Sequence, residues 1–492
     1  MINSLDLCLL AALVNNRGML EPMRTCNGLK FRYARMPAPP VAFSPPQVAN
    51  KRIVPNKGLK LDARVALVND RRPHNDIVAQ EAMVPEIADI MIAGQPIEPA
   101  GSGTWIVTNP SNLRPLGTVR NSDEQQWRAA LHAAQGASTG WGRLQTEQRA
   151  RFLAEVSEGL LTSQREIAVL HSRETGQVIA ESIDMVHLAA SYWRVEPTRT
   201  VVTGTSPVCL IRPRPDAALL DWSHFVAKRL ASGSCCVVAL PPQAPLTVLT
   251  AMTACKTLPR GVLSVLVGEP AGTMDNNVEA VSPTDTPTAS DIVYVSSDAD
   301  LDLAAAGAAA KRLYRSGQCA EQSVRVYVEQ AQTYPFADRM HTYLAFLEAG
   351  DPVKSASDLG PMSSLDRIEE VQTRVADTLK KGALLKLGGR RYQPWGLTGY
   401  YFQPTLMIEG SGEERAPHDQ IRGPVILLTP VRNLAAALTD RPATGTLRVT
   451  LFARDIERTL AHINLDTKRI DFEHVTERRE NWFPYHARAA RQ

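Results

Sequence analysis

The sequence predicts an α/β fold with parallel sheets, and three observations carry that prediction. Short apolar runs such as Val208–Arg212 and Cys235–Leu240 alternate with a helical stretch around Leu219–Ala231; strand and helix in alternation build a parallel sheet covered by helices. Two long helical segments lie upstream, one from Thr146 to about Ser163 and one from Gln164 to Thr175, the second ending at Gly176 as helices end on glycine. With 492 residues and 44% hydrophobic composition, the chain can bury a core large enough for two or three domains.

In chain order, residues 1 to about 90 read as irregular. Pro37-Ala-Pro-Pro40, Pro45-Pro46 and Pro55 each fix φ and remove an amide donor, which prevents long helices and central strands. Regular structure is expected from near Ile90, where Met91–Pro96 and Thr104–Pro110 read as short strands joined by a turn. Ser122, three residues before Gln125, has the pattern of a capping box opening a helix over Arg128–Gln135. No internal repeat and no Gly-x-Gly-x-x-Gly is present.

Charge and cysteine content exclude several classes. Lys+Arg at 54 against Asp+Glu at 51 is too balanced for wholesale wrapping of nucleic acid. The asymmetry is local: Met1 to Lys60 holds nine basic residues against Asp6 and Glu21. Such a stretch suits either a mitochondrial type of address or a basic arm lying on a partner. Seven cysteines without C-x-x-C spacing argue against a disulfide framework or a zinc site, and Cys235 and Cys236 read as small hydrophobes in a buried strand. No apolar run reaches the ~18–20 residues of a membrane span.

From about Ile90 to Asp471 a series of segments, in order, resembles the aldehyde dehydrogenase superfamily. Asn109-Pro-Ser-Asn112 with Leu116-Gly-Thr118 is similar to that family's "NP.tg..ig" turn, and Glu174-Thr-Gly176 to its "ETGK" helix end. Asp298-Ala-Asp-Leu-Asp302 followed by Ser316-Gly-Gln-Cys319 resembles "DADLD … nqGQcC", and Gly399–Thr405 and Gly423-Pro-Val425 complete the order. The resemblance implies an aldehyde dehydrogenase-like α/β architecture. Its parts are an irregular extension over 1–90, a degenerate Rossmann-like cofactor-type domain over 91–285, and a catalytic-type α/β domain over 286–430 bearing Cys319. Residues 431–492 would return to the first domain and end in an altered tail.

The same resemblance implies which chemistry is kept and which is lost. Cys319 takes the place of the nucleophile, because a cysteine thiolate is nucleophilic enough to add to a carbonyl. The oxyanion donor, an asparagine in the family, has no counterpart in Pro213-Arg-Pro-Asp-Ala217, where Asp216 would accept rather than donate. The family's basic glutamate falls near Glu279, without the glycines that would aim it. Ala239 and Pro242 stand at the ribose ligands of the cofactor, Gln420 at the second ribose contact, and Arg422 in place of the phenylalanine that supports the nicotinamide. No counterpart of the phosphate-facing turn and its helix is found. The expected cofactor is therefore none.

Two main functions follow, beside a third, lesser reading as an RNA-associated subunit of a large particle that uses the basic arm. One is a catalytically degenerate, structural or scaffolding subunit of a larger complex, a mitochondrial one where the basic stretch serves as an address. It would meet other protein subunits through residues 1–90 and a tail carrying Trp482, Phe483 and Tyr485, with a possible homodimer, no membrane span and no nucleic acid. The other is a divergent active NAD(P)-dependent aldehyde dehydrogenase or a thiol esterase using Cys319.

Overall fold

A computed structural model describes residues 87–195, 206–270, 278–281, 290–319, 323–394, 396–410, 421–439, 447–461, 463 and 470–475, with the backbone of 24–26 and 29–32. Trp482, Phe483, Tyr485, Gln420 and most of the 1–90 extension lie outside the described residues.

Two sheets organise the described residues. Their strands, in chain order, begin with β1 (Arg24–Cys26), β2 (Leu29–Arg32), β3 (Ile90–Ile92), β4 (Gln95–Ile97), β5 (Thr104–Thr108) and β6 (Pro115–Arg120). There follow β7 (Val208–Ile211), β8 (Cys235–Leu240), β9 (Leu263–Val267), β10 (Val278–Val281), β11 (Ser290–Val295) and β12 (Ser323–Glu329). The last are β13 (Leu384–Leu387), β14 (Thr405–Ile408), β15 (Val425–Val431), β16 (Leu447–Phe452) and β17 (Ile470–His474). The helices are α1 (Glu124–Arg143), α2 (Thr146–Thr162), α3 (Gln164–Thr175), α4 (Ile179–Trp193), α5 (Ala218–Ala231) and α6 (Leu246–Ala251), then α7 (Leu301–Leu313), α8 (Thr333–Ala345), α9 (Leu365–Lys380), α10 (Leu434–Leu438) and α11 (Ile456–Leu460).

The first sheet has the order β10-β7-β8-β9-β3-β4, and its β10-β7-β8-β9 run is parallel. Every residue of β8, Cys-Cys-Val-Val-Ala-Leu, is buried, as both faces of a parallel sheet are when helices cover them. Trp193 of α4 and Trp222 of α5 meet at 5.3 Å between ring centroids and fill the space over one face. The second sheet has the order β1-β2-β17-β16-β11-β12-β15-β14-β13, and β5 and β6 form a separate antiparallel ribbon.

Several sequence expectations are corrected here. Met91–Pro96 is a hairpin rather than one strand, because Ala93 (φ 52°) and Gly94 (φ 79°) turn the chain between β3 and β4. The N-cap of α1 is Asp123, not Ser122: the Asp123 carboxylate accepts from Gln126 N at 2.7 Å while Gln126 Oε1 accepts from Asp123 N at 3.1 Å. Ser122 instead belongs to the sheet margin, donating its amide to the Val267 carbonyl at 2.9 Å. Within the segment read as irregular, β1 and β2 pair with each other, and β2 lies parallel to β17. Nor do residues 447–474 return to the first domain: β16 pairs with β11, and β17 with β16, both parallel, in the second sheet.

Candidate functional site

Cys319 follows a strained loop. After α7 the backbone turns through Arg315 (φ 54°), Ser316 (φ 52°) and Gly317 (φ 70°), three consecutive left-handed residues. Left-handed conformation at a non-glycine residue costs of order 1–3 kcal/mol and persists only when its surroundings over-determine it. The surroundings do so here. The Arg315 amide donates to both oxygens of the Glu181 carboxylate, at 3.1 and 3.3 Å. Ser316 Oγ donates to Gly360 O at 3.0 Å and accepts from Gly360 N at 3.2 Å. Gln318 donates to Pro361 O at 3.2 Å and accepts from Ser363 N at 2.8 Å. Gly317 is required, since a Cβ there would collide with the main-chain oxygen of Gly423.

The loop carries a buried cation that the sequence reading did not single out. Arg315 is 8% exposed, and its guanidinium donates to the carbonyl of Asp216 in the turn before α5. Burial works to remove its charge, but Cys319 first, then Asp216, Tyr314 and Glu181, outweigh burial and hold the guanidinium above its ordinary range. Glu181, in the first turn of α4, is pushed up to about 8 by burial, against the partly offsetting amide and charge of Arg315. His171 of α3 lies nearby, its Nδ1 3.1 Å from Ser182 Oγ, and burial drives it down to about 3. It is a neutral core histidine. A charged residue just before Ser-Gly-Gln, and an acidic one in the first turn of a helix, were the available signals for Arg315 and Glu181.

Cys319 itself is partly exposed, whereas Cys209, Cys235, Cys236 and Cys255 are buried. Burial raises the latter thiols, Cys235 up to about 12, which leaves them unreactive at neutral pH. The family run GQcC offers two cysteine places, the capital marking the fixed one. Read without a gap, Cys319 fills the first, and the second falls on Ala320, outside the described residues.

The other residues named from the sequence do not join Cys319. Glu279 lies on β10 at the edge of the first sheet, gripped by Arg229 of α5 through two hydrogen bonds of 2.9 and 2.5 Å. It is an ion-pair partner, not a free base. Asp216 contributes its carbonyl to Arg315 rather than a side-chain donor. Among the described residues, no group of three His, Cys, Asp or Glu could hold a metal, and no helix is long and apolar enough to cross a membrane.

Two described residues at the family's ribose-contact positions do not suit a nicotinamide dinucleotide. Residues 268–277 alone connect β9 to β10, and they must cross from one side of β8 to the far side of β7. Most of that connection, 271–277, and the segment after β10, 282–289, lie outside the described residues. Ala239 is a buried methyl in β8, with no ammonium to offer a ribose, and Pro242 supplies no carboxylate. The N-terminus of α6, close behind β8, is already taken: Glu174 accepts from Leu246 N at 2.7 Å, from Thr247 N at 2.9 Å and from Thr247 Oγ1. Arg422 sits between Ile421, whose carbonyl accepts from Arg312 at 2.5 Å, and Gly423, which backs Gly317.

Comparison with known proteins places these features in context. The model of the "Aldehyde dehydrogenase family" matches residues 97–199 and 288–465. The chain is 27% identical over 400 residues to the succinate-semialdehyde dehydrogenase [NADP(+)] GabD of Escherichia coli (strain K12), covering 72% of this chain and 82% of that one. It is 27% identical over 375 residues to the 3-sulfolactaldehyde dehydrogenase of Pseudomonas putida, covering 66% and 76%. Among solved structures, the lactaldehyde dehydrogenase of Escherichia coli superposes with a TM-score of 0.67 at 20% identity, covering 80% of this chain and 92% of that one.

Proposed function

From the premise that the chain belongs to the aldehyde dehydrogenase family, whose model spans more than half of it, we propose a divergent enzyme that uses the Cys319 thiol without a dinucleotide, as a thiol esterase. The observation that carries this reading is the one partly exposed thiol among the described residues, at the end of a loop pinned by Glu181, Gly360 and Pro361. In this reaction the thiolate adds to the acyl carbon of an ester. The alcohol leaves with a proton, and water hydrolyses the acyl-cysteine to the acid, regenerating the thiol. No hydride acceptor is needed. That the relatives are named for aldehyde oxidation supports an active site in this fold, while Ala239 and Pro242 at the ribose-contact positions argue against their cofactor. The test is hydrolysis of a nitrophenyl ester without NAD(P): the wild type is expected to turn over, and C319S to lose that rate. Equal rates in the two proteins would overturn the reading.

A second reading is favoured by Ala320 at the fixed cysteine place and by the missing asparagine at Pro213–Ala217. In it the chain is a catalytically degenerate structural subunit, docking through residues 1–90 and its tail. Native mass measurement after gentle purification separates the two, because a scaffold travels in a particle larger than a homo-oligomer of this chain.

A further inference from the structure

Among the described residues the second sheet ends on β13, whose outer edge pairs with no further strand. β13 is Leu-Leu-Lys-Leu, antiparallel to β14 in the register Leu384↔Ile408 and Leu385↔Met407. Ile408 belongs to the core on the α7–α8 face of the sheet and Met407 to the core on the α9 face. Alternation along the strand therefore puts Leu384 on one face and Leu385 on the other. Both are exposed, at 49% and 39%, so each apolar face runs on to the rim of the sheet. The charge that would ordinarily guard such an edge is drawn aside. Lys386, at the bulge between Leu385 and Leu387, is half-buried, with its ammonium 3.7 Å from Asp338 of α8.

Charge brackets the strand. From Lys380 to Arg391 the chain holds Lys380, Lys381, Lys386, Arg390 and Arg391 and no acidic residue. At the entry to β13, a hollow of about 280 Å³ is lined by Arg374, Lys380 and Lys381 against Asp377, with Thr378 and Ile421 completing its wall. Asp377 lies 3.3 Å from Lys380, and Glu369 lies 3.5 Å from Arg391. These pairs are exposed and weak, so a guest carboxylate can share the cations. A second copy of β13 would set cation against cation in either direction, because both ends of the strand are basic. A nucleic acid would meet the charge, yet it offers no row of amides and carbonyls for an open strand edge.

We infer that β13 and the hollow beside it form a docking site for an acidic, extended peptide segment of another protein, which adds to the second sheet as a further strand. Main-chain hydrogen bonds to the outer edge of β13 set the register, and alternate apolar side chains of the guest cover Leu384 and Leu385. Carboxylates at its ends meet Lys380, Lys381, Arg390 and Arg391, which gives the site its preference for acidic partners. Docking there requires no chemistry from Cys319.

Fluorescence anisotropy of the full chain with a labelled peptide of alternating glutamate and valine tests this. The comparison ligands are the same peptide with lysine for glutamate, the same peptide with a central proline, and an oligouridylate. The glutamate–valine peptide is expected to saturate. The lysine and proline peptides are expected to bind about tenfold more weakly or worse, since one loses the charge and the other the main-chain pairing. K380E combined with K381E is expected to weaken the acidic peptide by about tenfold, with far-UV circular dichroism unchanged. No saturable binding of the acidic peptide, or equal binding of the lysine or proline peptide, would overturn the inference. An oligouridylate that displaces the acidic peptide would overturn it too, by making this surface a nucleic-acid face. If the charge-reversed chain does not fold, the comparison of acidic, lysine and proline peptides on the wild type decides.

Discussion

Arg229 on α5 and Glu279 on β10 form a two-pronged ion pair, with nitrogen–oxygen distances of 2.9 and 2.5 Å, that ties the edge strand of the first sheet to the helix covering it. The pair is half-exposed, with side-chain accessibilities of 15% and 37%, so water screens part of its attraction. E279A is expected to lower unfolding free energy by about 1 kcal/mol in urea titrations and to leave any Cys319-dependent hydrolysis unchanged. A loss of hydrolysis without a loss of stability would restore Glu279 as a base.

Glu174 holds the start of α6 through the amides of Leu246 and Thr247 and the Thr247 hydroxyl. Burial raises its carboxyl, and those hydrogen bonds pull it back. E174A leaves these donors buried without a partner, a loss of about 1–3 kcal/mol. Chemical denaturation reads this directly, and a variant as stable as the wild type would show that the contact contributes nothing.

Glu181 makes stability depend on pH. Its folded carboxyl titrates at about 8, while its ordinary value is 4.5. Between those values the folded chain keeps a proton that the unfolded chain releases, so stability falls as pH rises from about 4.5 to about 8 and is then level. Replacing it with glutamine removes that proton exchange. Between pH 5 and pH 9 the Tm of the wild type is expected to drop further than that of E181Q, by on the order of 5 °C. Parallel curves for the two proteins would mean that Glu181 is ionised in the fold.

Much of the fold was legible because it rests on local signals. The buried run Cys235–Leu240 is β8, and the glycine stop at Gly176 ends α3 with φ 80°. Where two local readings competed, long-range contacts chose: Ser122 looked like a cap, but its amide serves Val267, 145 residues away. The site was only half legible. Cys319 announces itself through Ser-Gly-Gln, yet Arg315 matters through Glu181, 134 residues earlier, and Asp216, 99 residues earlier. No pattern along the chain encodes those distances, because folding brings the partners together from a different helix and a different turn.

The claim that the family's cofactor chemistry is gone is tested most directly by calorimetric titration of the full chain with NADP+ and NAD+, followed by the same mixtures with succinate semialdehyde while absorbance of reduced nicotinamide is recorded. Ala239 and Pro242 offer no ribose ligands. No saturable heat at millimolar dinucleotide and no absorbance change are expected. Saturable binding, accompanied by reduced nicotinamide that disappears in C319S, would contradict that claim.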